Sequence, residues 1–152
     1  MPSQFEHETE VCVRYGETDQ MGVVYHANYL VYMEEGRTRL MESLGLPYHA
    51  LEQRGFGLVV RKAALRFRAP ARYAETLAVR TWIGRVGGAS ILFEYEIRRR
   101  ADGSVVAEGS TELACVDLRK PERPVCMLPD ELRGLEGPGH AGRSKSPSKG
   151  SA

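Results

Sequence analysis

The amino-acid sequence predicts an α+β domain: one long helix against a five-stranded antiparallel sheet. Apolar residues recur at helical spacing in one stretch only, between positions 26 and 44. The later segments instead alternate with period two and are joined by short turns. The alternating strand–helix units that a doubly wound parallel sheet requires are absent.

Val11, Val13 and Tyr15 alternate with Cys12 and Arg14, which predicts a first strand ending at Tyr15. The connection YGETDQMGVVYHANY (15–29) then carries far more polar and aromatic groups than a turn needs. In the helix, Tyr29, Leu30, Met33, Leu40, Met41 and Leu44 recur three and four apart, and Gly45 and Pro47 end it. Gly36 sits mid-helix, where it costs about 1 kcal/mol relative to alanine, and so predicts another backbone packed closely against it. A weaker helical turn covers 48–53.

GLVVRKAALRFRA predicts a second strand, with Val59, Ala63, Leu65 and Phe67 on one face and Lys62, Arg66 and Arg68 on the other. Pro70 closes it. ETLAVRTWIGRV and SILFEYEIRRR follow as strands, the latter alternating Ile91, Phe93, Tyr95 and Ile97 with polar residues. Asp102-Gly103 signals a two-residue hairpin into SVVAEGSTELACVDL. A short helical turn near 129–132 closes the body.

The chain of 152 residues suits one domain, with 42% hydrophobic and 27% charged residues. A net charge of +1 gives no case for a nucleic-acid partner or a membrane surface, and no apolar run approaches a membrane span. The start, MPSQFEHETE, lacks a basic end followed by an apolar stretch. Cys12, Cys115 and Cys126 are odd in number and without CxxC spacing, which fits free thiols in a cytoplasmic protein. The four histidines show no ligand-pair spacing, so neither a metal nor another cofactor is expected. Residues 1–133 are expected to fold, and the Gly/Ser/Pro/Lys-rich tail 134–152 to be disordered.

A carboxylate, Asp19, thus precedes a helix start near His26, with Gly22 permitting unusual backbone angles between them. Free N–H groups at a helix start can stabilise a carbonyl oxygen as it becomes an oxyanion. A carboxylate alongside can attack the carbonyl carbon or activate water; together these suffice for acyl transfer to water. Each residue also has a structural reading: Asp19 as a turn or cap, His26 as a first-turn residue, Tyr15 and Tyr25 as packing, Asn28 as a local hydrogen-bonder.

The stretch RYGETDQMGVVYHANYLVYMEEGRTRL resembles the signature of the 4-hydroxybenzoyl-CoA thioesterase/YbgC-like branch of the hotdog-fold acyl-CoA thioesterases. RFRAPARYAETLAV and GGASILFEYEI resemble later segments of that family, and the likeness runs over roughly 8–130. It implies a hotdog, a long helix wrapped by a curved five-stranded antiparallel sheet, that hydrolyses acyl-CoA to free acid and CoA. By the same resemblance Asp19 is the catalytic carboxylate, the His26 N–H the oxyanion donor, and Tyr15 and the His26 side chain catalytic neighbours. Gly22, Val24, Tyr25, Asn28 and Ser90 then fall among the substrate-binding positions. Active sites in the family lie at a dimer interface, so a homodimer or dimer of dimers is implied.

Gln20-Met21 stands where the family commonly has Ala-Gly. VGGAS (86–90) lacks the basic cluster that holds CoA phosphates in the hydroxybenzoyl enzyme. Arg61, Lys62, Arg66, Arg68 and Arg72 are therefore the candidates for phosphate binding. Two other functions fit a hotdog: non-catalytic binding of acyl thioesters or of a partner, and a dehydratase or hydratase, whose usual motif is absent.

Overall fold

The computed structural model describes residues 5–135. In chain order it contains β1 (Glu6–Cys12), a 3-10 turn (Tyr15–Glu17), α1 (Asn28–Ser43), α2 (Tyr48–Gln53), β2 (Phe56–Phe67), β3 (Thr76–Val86), β4 (Ser90–Arg99), β5 (Val105–Asp117) and α3 (Asp130–Arg133). The strands form one sheet in the order β1-β3-β4-β5-β2, antiparallel throughout. This is the one-helix, five-strand hotdog. No helix among the described residues is long and apolar enough to cross a membrane.

Alternation on β3 and β4 builds the core. Leu77, Val79, Thr81 and Ile83 with Ile91, Phe93, Tyr95 and Ile97 are buried on the face that receives Tyr29, Tyr32, Met33, Leu40 and Met41 of α1. Gly36 lets α1 come down onto β3: a Cβ there would lie 2.8 Å from Val79 Cγ1 and closer still to Thr81 Oγ1. The close neighbour is thus a pair of side chains rather than a backbone. At the end of α1, Gly45 adopts φ +77° and donates to the Glu42 carbonyl, while the Leu46 N–H reaches Met41.

Arg37 is buried on the same helix. Its Nε donates to the Tyr48 hydroxyl (2.8 Å), and its Nη1 donates to Tyr95 (3.3 Å) and Thr111 (3.4 Å). The charged group therefore ties α1 to α2, β4 and β5 through hydroxyls.

Three further sequence expectations are corrected. β1 lies earlier than expected, because Glu6–Cys12 pairs with Thr76–Trp82 and Tyr15 enters a 3-10 turn. The alternation in β2 breaks at a bulge between Val60 and Lys62. Val59 opposes Ala114 and Ala63 opposes Thr111, so the extra residue puts Val59 and Ala63 on opposite faces. The Asp102-Gly103 hairpin forms, but its loop is longer: Gly103, at φ +72°, donates to Arg99, whose N–H donates to Ser104. Leu135 still packs partly on the core, so the folded body reaches it. The rest of the expected tail, 136–152, lies outside the described residues.

Candidate active site

Asp19 sits on a tight exposed loop between the 3-10 turn and α1. Its N–H donates to the Val23 carbonyl (2.9 Å), and its own carbonyl accepts the Gly22 N–H (2.9 Å). Gly22 has φ +81°, a left-handed angle that glycine adopts without a Cβ penalty. Asp19 Oδ1 accepts the Met21 N–H (2.9 Å), which fixes the carboxylate plane; Oδ2 has no partner among the described residues. The turn-aspartate reading therefore describes Oδ1 and leaves Oδ2 over.

From Val23 the chain returns to the helix. Thr18 and Val24 form an isolated bridge, and the Val24 N–H donates to Ala71 (2.8 Å). Val24 is buried at 5% exposure, so it anchors the loop, and its side chain is taken up by the core rather than offered to a ligand. Helix α1 starts at Asn28, two residues later than the sequence suggests. The N–H groups of Asn28, Tyr29 and Leu30 donate back to Tyr25, His26 and Ala27 in the first turn. The N–H groups of His26 and Ala27 find no acceptor among the described residues, and both residues are exposed. These two are the donors left free at the helix start.

A ladder of rings flanks them. His26 lies 4.4 Å from Tyr25 and 6.3 Å from Phe67 between ring centroids; Phe67 meets Tyr29 at 5.6 Å, and Tyr29 meets Tyr32 at 5.8 Å. The His26 imidazole is thus held against the end of β2. Tyr15 is 77% exposed and packs edge-on against Tyr73. Its carbonyl takes the Thr18 N–H and hydroxyl, so its ring leans on Tyr73 rather than on the histidine. Asn28 spends its amide on the loop: Nδ2 donates to the Glu17 carbonyl (2.9 Å).

Glu17 was not singled out by the sequence. Its Oε1 accepts the Tyr32 hydroxyl (2.8 Å) and the Arg14 N–H (2.9 Å), and its Oε2 accepts Arg14 Nε (3.2 Å). Burial alone would push this carboxyl up; hydrogen bonds from the Arg14 N–H and Tyr32, with the Arg14 guanidinium, outweigh burial and hold it below the ordinary 4.5. Burial and the Glu17 charge together push the Tyr32 hydroxyl up, so it remains a donor.

Of the basic candidates, Arg61 and Lys62 lie further along β2, while Arg66 and Arg68 flank Phe67 and Arg72 follows Ala71. Lys62 opposes Glu112 and Arg66 opposes Glu108, residues of β5 whose side chains lie on the sheet face away from α1. Arg61 pairs with Glu112 and Arg68 with Glu108, each at 2.6 Å; Lys62 and Arg66 make no ion pair among the described residues. The Arg72 N–H binds Glu75. Ser90 opposes Ala114, which opposes Val59, eight residues along β2 from Phe67. One of those eight is the bulged residue, so at about 3.3 Å for each of seven rungs Ser90 stands roughly 23 Å from the His26 end of the sheet. A single chain therefore carries Asp19, Gly22, Tyr25 and His26 on one short connection and leaves Ser90 and Arg61 away from it. Among the described residues no group of three or more His, Cys, Asp or Glu side chains could hold a metal ion.

The chain is similar to known proteins in sequence and in fold. The family model of the Thioesterase-like superfamily matches residues 13–134. The Bacillus subtilis protein "Putative acyl-CoA thioesterase YneP" is 43% identical over 108 residues, 71% of this chain and 78% of that protein. The acyl-CoA thioesterase YbgC of Haemophilus influenzae is 36% identical over 124 residues, 81% of this chain and 88% of that protein. Among solved structures, Slr0204, a 1,4-dihydroxy-2-naphthoyl-CoA thioesterase from Synechocystis, superimposes with a TM-score of 0.77 at 27% identity. That match covers 86% of this chain and 94% of the other. With the family model matched over residues 13–134 and 36% identity to YbgC over most of both chains, the chain belongs to the Thioesterase-like superfamily.

Proposed function

We propose that this protein is an acyl-CoA thioesterase, converting an acyl-CoA and water into the free acid and CoA. One observation carries the reading: among the described residues Asp19 Oδ2 has no partner, and on the same connection the His26 and Ala27 N–H groups at the helix start have no acceptor. The names of YneP and YbgC support the same chemistry. The thioester oxygen sits at the His26 N–H, where charge developing on it is stabilised by about 3 kcal/mol per donor. Asp19 either attacks the carbonyl carbon, giving an acyl–Asp19 anhydride that water then hydrolyses to the free acid, or takes a proton from a water that attacks the carbon directly. The thiolate of CoA leaves and is protonated. The His26 imidazole, fixed by Tyr25 and Phe67, orients the acyl group.

The working unit is a homo-oligomer. β2 is an edge strand, with Val59, Val60 and Phe67 about half exposed. Such an apolar edge invites pairing with another strand. Antiparallel pairing with the β2 of a second copy carries one copy's Ser90 end toward the other's His26 end. It also brings Arg61, Lys62, Arg66 and Arg68 to the seam, where CoA phosphates would meet them. Cys12, Cys115 and Cys126 are all free, which suits a cytoplasmic protein.

The test is a panel of acetyl-, butanoyl-, hexanoyl-, palmitoyl- and 4-hydroxybenzoyl-CoA, read by free-thiol release. Turnover of at least one thioester is expected. Binding without thiol release would instead support a non-catalytic acyl-thioester protein.

A further inference from the structure

We propose that Glu17 is the positioning residue of this site, clamping the Asp19 turn to the start of α1. The proposal rests on the thioesterase reading above and adds a role for a residue that touches no substrate.

Glu17 makes contacts in two directions. Through its side chain it holds α1: Oε1 takes the hydroxyl of Tyr32, a buried residue one turn into the helix. Through its backbone it holds the loop: its carbonyl accepts both the Tyr25 N–H (2.9 Å) and Asn28 Nδ2 (2.9 Å). Tyr25 and Asn28 bracket His26 and Ala27, whose N–H groups are the free donors. Asp19 lies two residues beyond Glu17, across the Thr18–Val24 bridge. The separation between the carboxylate and the oxyanion donors is therefore set by bonds that converge on one residue. Arg14, through its N–H and Nε, completes the set and keeps Glu17 ionised as an acceptor.

A group of this kind acts on the transition state through geometry. A misplacement of about 1 Å can cost on the order of 10²-fold in rate. Substrate affinity, which depends on contacts along the whole acyl-CoA, changes little. The signature is a fall in kcat at nearly constant KM.

The experiment compares Glu17→Ala, Glu17→Gln, Tyr32→Phe and the Glu17→Ala/Tyr32→Phe double variant. Each is assayed with the member of the acyl-CoA panel that the parent turns over fastest, and each kcat is referred to folded protein by circular dichroism. Glu17→Ala should lower kcat by about 10–100-fold with KM within about threefold. Glu17→Gln keeps an oxygen for Tyr32 and should recover part of the loss. The double variant should be no slower than Glu17→Ala alone, since Tyr32 acts through Glu17. Unchanged kcat in a folded Glu17→Ala protein, a KM effect without a kcat effect, or additive losses would each overturn the assignment. If Glu17→Ala is insoluble, Tyr32→Phe, which removes one oxygen, decides alone by the same kcat criterion.

Amide hydrogen exchange of Tyr25 and Asn28 gives a readout independent of turnover: both should exchange faster in Tyr32→Phe. If the parent hydrolyses nothing in the panel, the thioesterase reading falls and this exchange still judges the clamp. Unchanged exchange then overturns it.

Discussion

Replacing Gly36 with alanine sets two effects of known size against each other. In an exposed helix the change would stabilise by about 1 kcal/mol. Here the new methyl meets Val79 Cγ1 at 2.8 Å and presses harder on Thr81 Oγ1. Both neighbours are fully buried on β3, and both are β-branched with stiff χ1 angles, so neither can swing aside freely. Overpacking of this kind costs about 1–3 kcal/mol. The packing cost therefore wins, for a net loss of about 1 kcal/mol and a fall in Tm of about 2–4 °C for a chain of this size. The assay is thermal unfolding followed by circular dichroism, with Gly36→Ala compared against Gly36→Ala/Thr81→Ala. The second substitution removes the nearest obstructing atom, so the two changes should be non-additive in the relieving direction. A Gly36→Ala protein with a higher Tm than the parent would refute the claim that α1 and β3 are in hard contact here.

Further outcomes follow from the site. His26→Ala should lower kcat/KM by about 10²-fold. His26→Pro should be worse, because proline also deletes the N–H assigned to the oxyanion; equal activities would move that role to Ala27. Stability should fall as pH drops below 4.5, partly through Glu17: its carboxyl is held below that value in the fold, so its contribution is complete above the unfolded value and is lost as pH falls through the folded one. Urea unfolding of Glu17→Gln should show a shallower acid loss than the parent, and an identical loss would exclude Glu17 as a source.

Much of the fold was legible because its elements follow simple periodicities. Tyr29, Met33, Leu40 and Met41 declared the helix, and Ile91, Phe93, Tyr95 and Ile97 a strand, and all of these are buried as their spacing requires. What escaped detection has no such apolar period. β1 reads EHETEVC, largely polar, because half of its residues face the ion pairs of the outer sheet, such as Glu6 with Arg80. The β2 bulge is one extra residue, visible only once Lys62 and Val60 are matched to their partners on β5. In the site, Asp19 and His26 stood out through their motif. Glu17 did not, because its importance comes from convergence: Tyr32 lies fifteen residues away and meets it only after α1 folds back. Arg37 escaped for the same reason, since Tyr95 and Thr111 reach it from 58 and 74 residues along the chain.

The central claim is that the Asp19 carboxylate performs the chemistry. Asp19→Asn preserves the shape of the side chain and an oxygen to receive the Met21 N–H, so the turn should survive. What it removes is the charge. Steady-state hydrolysis of the best acyl-CoA of the panel should then show kcat reduced by at least about 10²-fold, with the parent's circular dichroism spectrum and oligomeric state retained. A folded Asp19→Asn protein whose kcat stays within about threefold of the parent would contradict the account, because a group contributing to the transition state cannot lose its charge at so small a cost.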